Sequence, residues 1–228
     1  MWLSGSPGGR EHRFVTNSKI RLRFTKKGEV RFLSHHDLMR FFERAIRRAG
    51  LPVKMSQGFN PRPKFSIAAA LGVGVAAESE ILDVELAEPM DPELVRQKLA
   101  GMSIPGIELL SAEPTPGKTE RVASARYEVL LPPEVELPAD AVDTLMARQE
   151  VPVERAGKDK QPRRINIRPY IREIHIAGHV VRMQLEITDS GAARPEEVVL
   201  ALAADQKIDR NRLKIVRTAL ETEPVKKS

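Results

Sequence analysis

The segment at residues 31–64 holds most of the side chains that could do chemistry. It carries two adjacent imidazoles, an acid and a series of arginines, followed by SQGFNPRPK, which gathers hydroxyl, amide and basic groups. A histidine can act as a general acid or base near neutral pH. The free N–H groups at a helix start attract anions, and basic loop residues add to that attraction. The segment therefore indicates a phosphate- or carboxylate-binding site and leaves catalysis open.

One amphipathic helix is predicted to position these groups. Ser34 is a typical helix cap, and Asp37, three residues later, makes an imperfect capping box. Apolar residues at spacings of three and four within 38–49 give the helix one buried face, and Gly50 is expected to end it. The opposite face is basic. The candidate anion- or nucleic-acid-binding residues of the helix and loop are Ser34, Asp37, Arg40, Arg44, Arg47, Ser56, Gly58, Phe59, Asn60, Arg62 and Lys64, and the candidate catalytic residue is His35.

Plainer interpretations of the same residues stay open. Ser34 would only cap the helix, and Phe59 would pack in the core instead of stacking on a ligand. His36 points about 100° away from His35 on a helix, so the two rings do not easily face one ligand. There is no HExxH motif, carboxylate triad, P-loop or complete dinucleotide-binding glycine pattern, so we expect neither a metal site nor a cofactor.

A second basic segment occupies residues 155–172. Its cations outnumber its acids, and the sequence GKDKQPRR is typical of a mobile loop. Tyr170 could stack on a base, and basic residues beside such a ring suit contact with RNA. The alternative is a solvated surface loop. The candidate binding residues in this segment are Lys158, Lys160, Arg163, Arg164 and Arg168.

The composition limits the class of protein. The 228 residues carry a net charge of +6, which favours an anionic partner, with nucleic acid first. The absence of cysteine excludes disulfides, thiolate zinc sites and an iron–sulfur cluster held by this chain. No run approaches the roughly 20 apolar residues of a membrane span, and residues 1–13 lack the apolar centre of a signal peptide. We therefore expect a cytoplasmic protein without a membrane partner, and the oligomeric state is open.

The order strand, helix, strand, strand, helix, strand occurs twice along the chain. It predicts an α+β fold of two tandem ferredoxin-like (split βαβ) modules with antiparallel sheets. A single larger α+β sheet is the alternative. The predicted divisions are a flexible N-terminal tail at 1–18, a first module at 19–113, a linker at 114–124, a second module at 125–222 and a tail at 223–228.

The stretch RFLSHHDLMRFFERAIRRAGLPVKMSQGFNPRPKFSIAAALGVG, with ESEILDVEL after it, resembles the radical-SAM-linked domain family. These are bacterial proteins of unknown function, encoded beside or fused to a cobalamin-binding radical SAM protein. The motif pair SHxDLMR and SQGFNPxPK carries the resemblance, which extends over about residues 19–110. The matching residues are Ser34, His35, Asp37, Arg40, Arg44, Arg47, Ser56, Gly58, Phe59, Asn60, Pro61, Pro63 and Glu80.

The resemblance implies a radical SAM protein as partner. A chain without cysteine cannot hold the radical SAM cluster, so this one would be an accessory. The family's genes resemble neighbours of ribonuclease and ribosomal-protein genes, which implies RNA. The leading hypothesis is a non-catalytic RNA-binding accessory in rRNA or tRNA modification or processing, in which arginines of the helix and loop hold phosphates while Ser56 and Asn60 give selectivity.

Two other functions stay open. One is a metal-independent RNA-cleaving or RNA-modifying enzyme, similar in architecture to CRISPR RNA endoribonucleases. His35 would then be the general acid or base, and Lys54 or Lys64 would stabilise the phosphorane. The other is a protein-docking module whose basic helix meets an acidic surface of the radical SAM partner.

Overall fold

The structure is a computed structural model that describes residues 17–115, 120–156, 161–204 and 206–225. Most of the regular structure in these ranges is β-strand. The strands are β1 (Asn17–Lys26), β2 (Phe65–Ile67), β3 (Ala76–Met90), β4 (Leu109–Pro114), β5 (Glu120–Leu130), β6 (Pro152–Ala156), β7 (Pro162–Asn166), β8 (Ile171–Ala177), β9 (Val180–Thr188), β10 (Gly191–Ala192) and β11 (Lys214–Pro224). The helices are α1 (His35–Arg48), α2 (Pro92–Ala100), α3 (Ala141–Ala147) and α4 (Pro195–Leu202). Within these ranges nine strands form one sheet, and β6 and β7 form a separate ribbon.

The first half of the sheet is built around β1 and β3. They run antiparallel, from the pair Lys19↔Glu85 near one end to the pair Lys26↔Ala77 at the other. β4 lies beside β1 and β2 lies beside β3, both antiparallel. The strand order is therefore β4-β1-β3-β2, with α1 connecting β1 to β2 and α2 connecting β3 to β4.

The second half has the same order of strands. β5 and β9 are central, β11 lies beside β5, and β8 lies beside β9, all antiparallel. The β6–β7 ribbon is inserted between α3 and β8. The halves join where β11 runs parallel to β3, at Val216↔Ala76. The prediction of an α+β fold is confirmed, and the described strands of both halves lie in one large, mostly antiparallel sheet.

Some elements extend beyond their predicted bounds. β5 begins at Glu120, inside the segment predicted as a linker, and β4 ends at Pro114. Glu120 pairs with Pro224 of β11, so ladder hydrogen bonds hold a segment whose composition is typical of a loop. Asn17 and Ser18 lie in β1 rather than in a tail. Glu223 and Pro224, predicted as part of the second tail, lie in β11. Residues 1–16, 116–119 and 226–228 lie outside the described residues.

The described residues form two large hydrophobic cores, one under α1 and one under α3 and α4, and a small third cluster of Ile81, Val122, Ala125 and Leu220. α1 packs Leu38, Phe42 and Ile46 against β1 and β3. The ring of Phe42 meets that of Phe24 edge to face, with centroids 4.8 Å apart, a geometry that aromatic pairs favour. α3 and α4 cover β5, β8 and β9 in the same way. The face of α1 that the helical spacing predicted to be buried is therefore the face that packs against the sheet.

A buried ionic cluster lies where the halves meet. Glu80 and Arg217 form a salt bridge in which both side chains are 1% exposed. Arg217 also donates to the carbonyl oxygens of Ala69 and Ala70, at 3.1 and 3.2 Å. Burial alone would lower the pKa of the Arg217 guanidinium, but the hydrogen bonds and charge of Glu80 outweigh it and raise that pKa. The pair thus ties β3 and β11 to the segment after β2.

Lys26, also buried, extends this cluster toward the start of α1. Its Nζ donates to the carbonyl oxygens of Arg31 and Leu33, at 3.0 and 2.9 Å. Desolvation lowers the pKa of Lys26, and the opposite charge of Glu80 acts against that shift. The junction therefore fixes the backbone immediately before the helix cap Ser34.

Candidate nucleic-acid interface

The start of α1 forms a complete capping box. The Asp37 N–H donates to Ser34 Oγ at 3.2 Å, and the Ser34 N–H donates to Asp37 Oδ2 at 3.3 Å. The Ser34 hydroxyl also donates to Asp37 Oδ2, at 2.6 Å. These hydrogen bonds to Ser34 lower the pKa of Asp37. A carboxylate therefore already occupies the anion-attracting end of the helix, which disfavours a phosphate there.

The two histidines lie at this same end of α1. His35 is half-buried and His36 is exposed. Their ring centroids are 6.1 Å apart, with the rings nearly perpendicular. Within the described residues neither ring has a carboxylate or other hydrogen-bond partner. His35 thus lacks the orienting group that a general base usually has.

The residues at 54–64 form a hairpin that leaves the edge of the sheet. Val53 pairs with Leu86 and Phe65 pairs with Val84, so the chain departs and returns on either side of Glu85. The Glu85 carbonyl accepts from the Lys54 N–H at 2.8 Å, and the Glu85 N–H donates to the Lys64 carbonyl at 3.0 Å. Residues 54–64 are called the basic hairpin below.

The Glu85 side chain closes the base of the basic hairpin as well. Its carboxylate lies 3.0 Å from Lys54 Nζ and 4.0 Å from Lys64 Nζ. The Lys54 hydrogen bond, with the charges of Lys54 and Lys64, lowers the pKa of Glu85. Glu85 neutralises part of the positive charge of these two lysines, which leaves Arg62 as the least compensated cation of the hairpin.

The tip of the basic hairpin presents an exposed ring. The Ser56 N–H donates to the Arg62 carbonyl at 2.8 Å, and the Arg62 N–H donates to Ser56 Oγ at 3.0 Å, which closes the turn. Gly58 has φ +128°, a conformation that favours glycine. Phe59 is fully exposed and does not pack in the core. No hydrogen bond of the Asn60 side chain is formed within the described part of the chain, so this amide is free to meet a ligand.

The structure separates the two parts of the predicted site. The capping box lies where Lys26 pairs with Ala77, whereas the hairpin lies at the level of Glu85. α1 has 14 residues, which corresponds to about 21 Å between its ends. The helix start and the hairpin tip do not form one pocket. His35 is therefore far from Lys54 and Lys64, the cations expected to assist it in catalysis.

The exposed face of α1 connects these two ends. Arg40, Arg44 and Arg48 recur every fourth residue, so they lie about 6 Å apart along the helix axis. None of the three has a carboxylate within 4 Å in the described ranges, whereas Arg47 pairs with Glu43 at 3.0 Å. Arg40, Arg44 and Arg48 are called the arginine stripe below.

The second basic segment is only partly available for binding. Arg155 forms a salt bridge with the buried Glu197 on α4 at 2.6 Å. Arg168 donates to the carbonyl oxygens of Met146 and Ile171, at 2.9 and 3.1 Å, so it serves the fold rather than a ligand. Residues 155–156 and 162–166 of this segment lie in the β6–β7 ribbon, and the residues at 157–160, the first half of the stretch predicted as a loop, lie outside the described residues.

The remaining residues of this segment divide into three groups. Arg163 and Arg164 are exposed on β7 and have no hydrogen-bond partner in the described ranges. Tyr170 packs against the second core, which limits stacking on a base. Lys158 and Lys160 lie outside the described residues.

Two residues of the candidate surface, Arg48 and Glu85, were not predicted from the sequence. Arg48 was not among the candidate residues, although the four-residue repeat from Arg40 and Arg44 points to it. Glu85 was missed because its role depends on the pairing register of β3. Glu80, one of the residues that carry the family resemblance, proves to be the buried partner of Arg217.

The described residues contain no group of three or more His, Asp or Glu side chains placed to hold a metal ion. None of the helices in these ranges is both long and apolar enough to cross a membrane.

The fold and this surface define an α+β protein whose sheet presents an arginine-rich helix and a basic hairpin. The chain belongs to a family of uncharacterized proteins conserved in bacteria, DUF2344, whose profile matches residues 19–195. This agrees with the expected bacterial family of unknown function.

Among solved structures the chain is similar to a chain in "Crystal Structure of a Cbf5-Nop10-Gar1 Complex". The identity is 14% and the TM-score 0.41, with 90% of this chain and 49% of that chain covered. This chain therefore spans about half of that chain's length. A search of curated proteins finds no match.

Proposed function

We propose that this protein binds RNA through the arginine stripe and the basic hairpin. The observation that carries the proposal is Phe59, a fully exposed ring at the tip of a hairpin held at its base by Glu85. This ring contributes nothing to the hydrophobic core, and an exposed aromatic face stacks well on an unpaired base.

The arginine stripe supplies the phosphate contacts in this proposal. Like charges four residues apart on a helix repel each other, which destabilises the isolated protein slightly. A row of phosphates would remove that repulsion and release counterions from the RNA. Arg62 and the partly neutralised Lys54 and Lys64 would continue the basic surface from the end of α1 toward Phe59.

Selectivity would come from the hairpin tip. Asn60 has an amide that can both donate and accept, and it lies next to the exposed ring. Unpaired bases can be stacked and read on their edges at such a tip, whereas the edges of a duplex are less accessible to it. We therefore propose single-stranded or looped RNA as the ligand class. Arg163 and Arg164 of the β6–β7 ribbon would be a second contact.

The fold supports the proposal at the level of architecture. We propose that each half is a ferredoxin-like module, because each has the element order and the antiparallel strand order of that motif. The partner would be a radical SAM protein, to which this chain would present RNA for modification or processing. That part rests on the family resemblance alone.

The structure offers less support for the proposal that His35 catalyses RNA cleavage. That proposal needs a cation near the histidine, and Lys54 and Lys64 lie beside Glu85 instead. We therefore keep binding as the proposed function.

The test begins with the RNA recovered from a bacterial lysate with the purified chain. Its affinity for the wild-type protein is measured by fluorescence anisotropy across a salt series. We expect Arg44→Glu with Arg48→Glu to weaken binding at least tenfold and to reduce the salt slope by about one to two. The matched control, Lys98→Glu with Arg148→Glu, reverses two exposed cations elsewhere and should leave affinity within twofold.

Equal weakening by the control pair would mean that binding is non-specific attraction to net charge. Recovery of no RNA, together with capture of a radical SAM protein, would favour the docking function instead.

A further inference from the structure

A large cleft lies between the two halves of the sheet. The segment at 68–76 lines one side of it, and the chain around the start of β11 lines the other. Its volume of about 2140 Å³ exceeds the roughly 300–1,000 Å³ of typical small-molecule pockets. An extended ligand therefore suits it better than a compact metabolite.

Three apolar side chains are exposed at one end of this cleft. Phe32 is 51% exposed, Val73 63% and Leu130 40%. The Gly74 N–H donates to the Arg31 carbonyl at 2.9 Å, which holds Phe32 beside Val73. Leu130 lies on β5, directly across the ladder from Lys214.

The strand register places Lys214 at the same end. The parallel pair Val216↔Ala76 brings Lys214, two residues earlier, to the level of the 72–74 turn. Ile215 is in the second core, so Lys214 projects from the opposite face of the strand. The residues Arg31, Phe32, Val73, Leu130, Arg210 and Lys214 are called the cleft mouth below.

The cations of the cleft mouth are not neutralised within the described residues. Arg31, Arg210 and Lys214 have no carboxylate within 4 Å there. The neighbouring acids are engaged: Glu134 pairs with Arg212, and Asp209 accepts from the Asn211 N–H at 3.0 Å. Among all residues lining the cleft, cationic side chains outnumber acidic ones.

A planar surface is also preformed at the cleft mouth. The Arg31 guanidinium lies over the Phe32 ring, 4.6 Å from its centroid. Guanidinium and aromatic planes are the surfaces on which unpaired bases stack. Apolar side chains within a basic rim fit a ligand with planar apolar faces and regularly spaced negative charges.

We propose that the cleft mouth binds single-stranded RNA, as a continuation of the strand held by the arginine stripe; this rests on the proposed function. Phe32 lies two residues and Arg31 three residues before the cap Ser34, so the stripe leads from the basic hairpin to the cleft mouth. One strand would contact Phe59 at one end of α1 and Phe32 at the other. The first half of the protein would hold it between two stacking positions that lie beyond opposite ends of the 14-residue helix, which is about 21 Å long.

The experiment compares strands of different length cut from the captured RNA. The test variant is Arg210→Glu with Lys214→Glu, and the control is Lys98→Glu with Arg148→Glu. We expect the test variant to bind the longest strand at least fivefold more weakly than the wild type does. It should bind the shortest strand that still engages the stripe with unchanged affinity. The control should match the wild type at every length.

Photo-crosslinking of 4-thiouridine RNA to the unmodified wild-type protein gives an independent measurement that no folding defect can affect. We expect crosslinked peptides from the hairpin and from the segments containing Phe32 or Val73. Crosslinks confined to the hairpin, with equal affinity of test variant and wild type at all lengths, would overturn the cleft proposal while leaving RNA binding by the stripe intact. A cleft that served a protein partner would give that same result. If the wild-type protein bound no RNA, both the proposed function and the cleft proposal would be wrong.

Discussion

In the first half of the molecule, Arg40, Arg44 and Arg48 of α1 face solvent with no carboxylate within 4 Å in the described ranges, whereas most arginines of the second half are held in ion pairs. The second-half pairs are Arg121–Glu223, Arg126–Glu221, Arg155–Glu197, Arg172–Glu186, Arg182–Glu128 and Arg212–Glu134. The strand order of the two halves is the same. The fold therefore does not dictate how the charge is distributed.

The helices of the two halves also differ, and the longer and better-capped one lies in the first half. α1 has 14 residues, a complete capping box and the arginine stripe. α3, at the equivalent place in the second half, has seven residues, and the side chain of its cap Asp140 accepts from the Thr144 hydroxyl rather than from a backbone N–H of the first turn. A longer and better-capped helix offers more surface for a ligand. The contrast indicates that the first half carries the binding surface and the second half mainly supports it.

The largest effect is expected where the halves meet. Arg217→Met removes one partner of the buried Glu80 pair and leaves an uncompensated carboxylate, which should cost about 3–5 kcal/mol in the free energy of unfolding. Urea denaturation measures this. The matched control is Arg182→Met, which breaks an exposed pair with Glu128 and should cost no more than about 1 kcal/mol. Equal losses in both variants would mean that the junction pair has no special role.

The next effect concerns the hairpin tip. Phe59→Ala should reduce RNA affinity by about 1–3 kcal/mol, the value of stacking on one base, with no change in the free energy of unfolding. Anisotropy and urea denaturation of the same preparations give the two numbers. Phe59→Trp should retain binding, and Leu94→Ala, which shortens another exposed apolar side chain, should change neither. Unchanged affinity in Phe59→Ala would exclude stacking by this ring.

Local patterns predicted the elements that local forces determine. The cap at Ser34, the stop at Gly50 and the buried face of α1 follow from interactions within one helix. These elements form as predicted because their neighbours in space are also neighbours in sequence.

The features that were missed depend on contacts between distant residues. Glu85 holds the base of the hairpin because the register of β3 places it between Lys54 and Lys64. Arg168 donates its hydrogen bond to the carbonyl of Met146 and is therefore not available to a ligand. A sequence pattern shows that these residues are polar but not what they meet. For the same reason the helix start and the hairpin were expected to share one site, although α1 separates them.

A smaller effect is expected at the start of α1. Ser34→Ala should lower the free energy of unfolding by about 0.5–2 kcal/mol at neutral pH, because the cap bond to the Asp37 N–H is lost. Asp37 has a lowered pKa in the folded protein, so its stabilising contribution is complete above its ordinary value of 3.8 and is lost as the pH falls through the lower folded value.

The pH dependence provides the control for that prediction. The stability difference between wild type and Asp37→Asn should be constant from pH 7 to 5 and shrink toward pH 2. A difference that persists at pH 2 would show that Asp37 acts through packing rather than through its charge.

The smallest expected effect addresses the comparison of the halves most directly. Arg44→Gln removes the central charge of the stripe, so it should raise the free energy of unfolding by about 0.2–0.5 kcal/mol through reduced repulsion from Arg40 and Arg48, while lowering RNA affinity. Arg182→Gln, which removes an arginine paired with Glu128, should leave stability unchanged or lower it and should not alter RNA binding. Opposite signs of the stability change in the two variants would mean that unpaired charge in the first half is retained at a cost to folding, as a binding surface requires. A loss of stability in Arg44→Gln would instead mean that the stripe supports the fold, and Arg44 would then resemble the paired arginines of the second half.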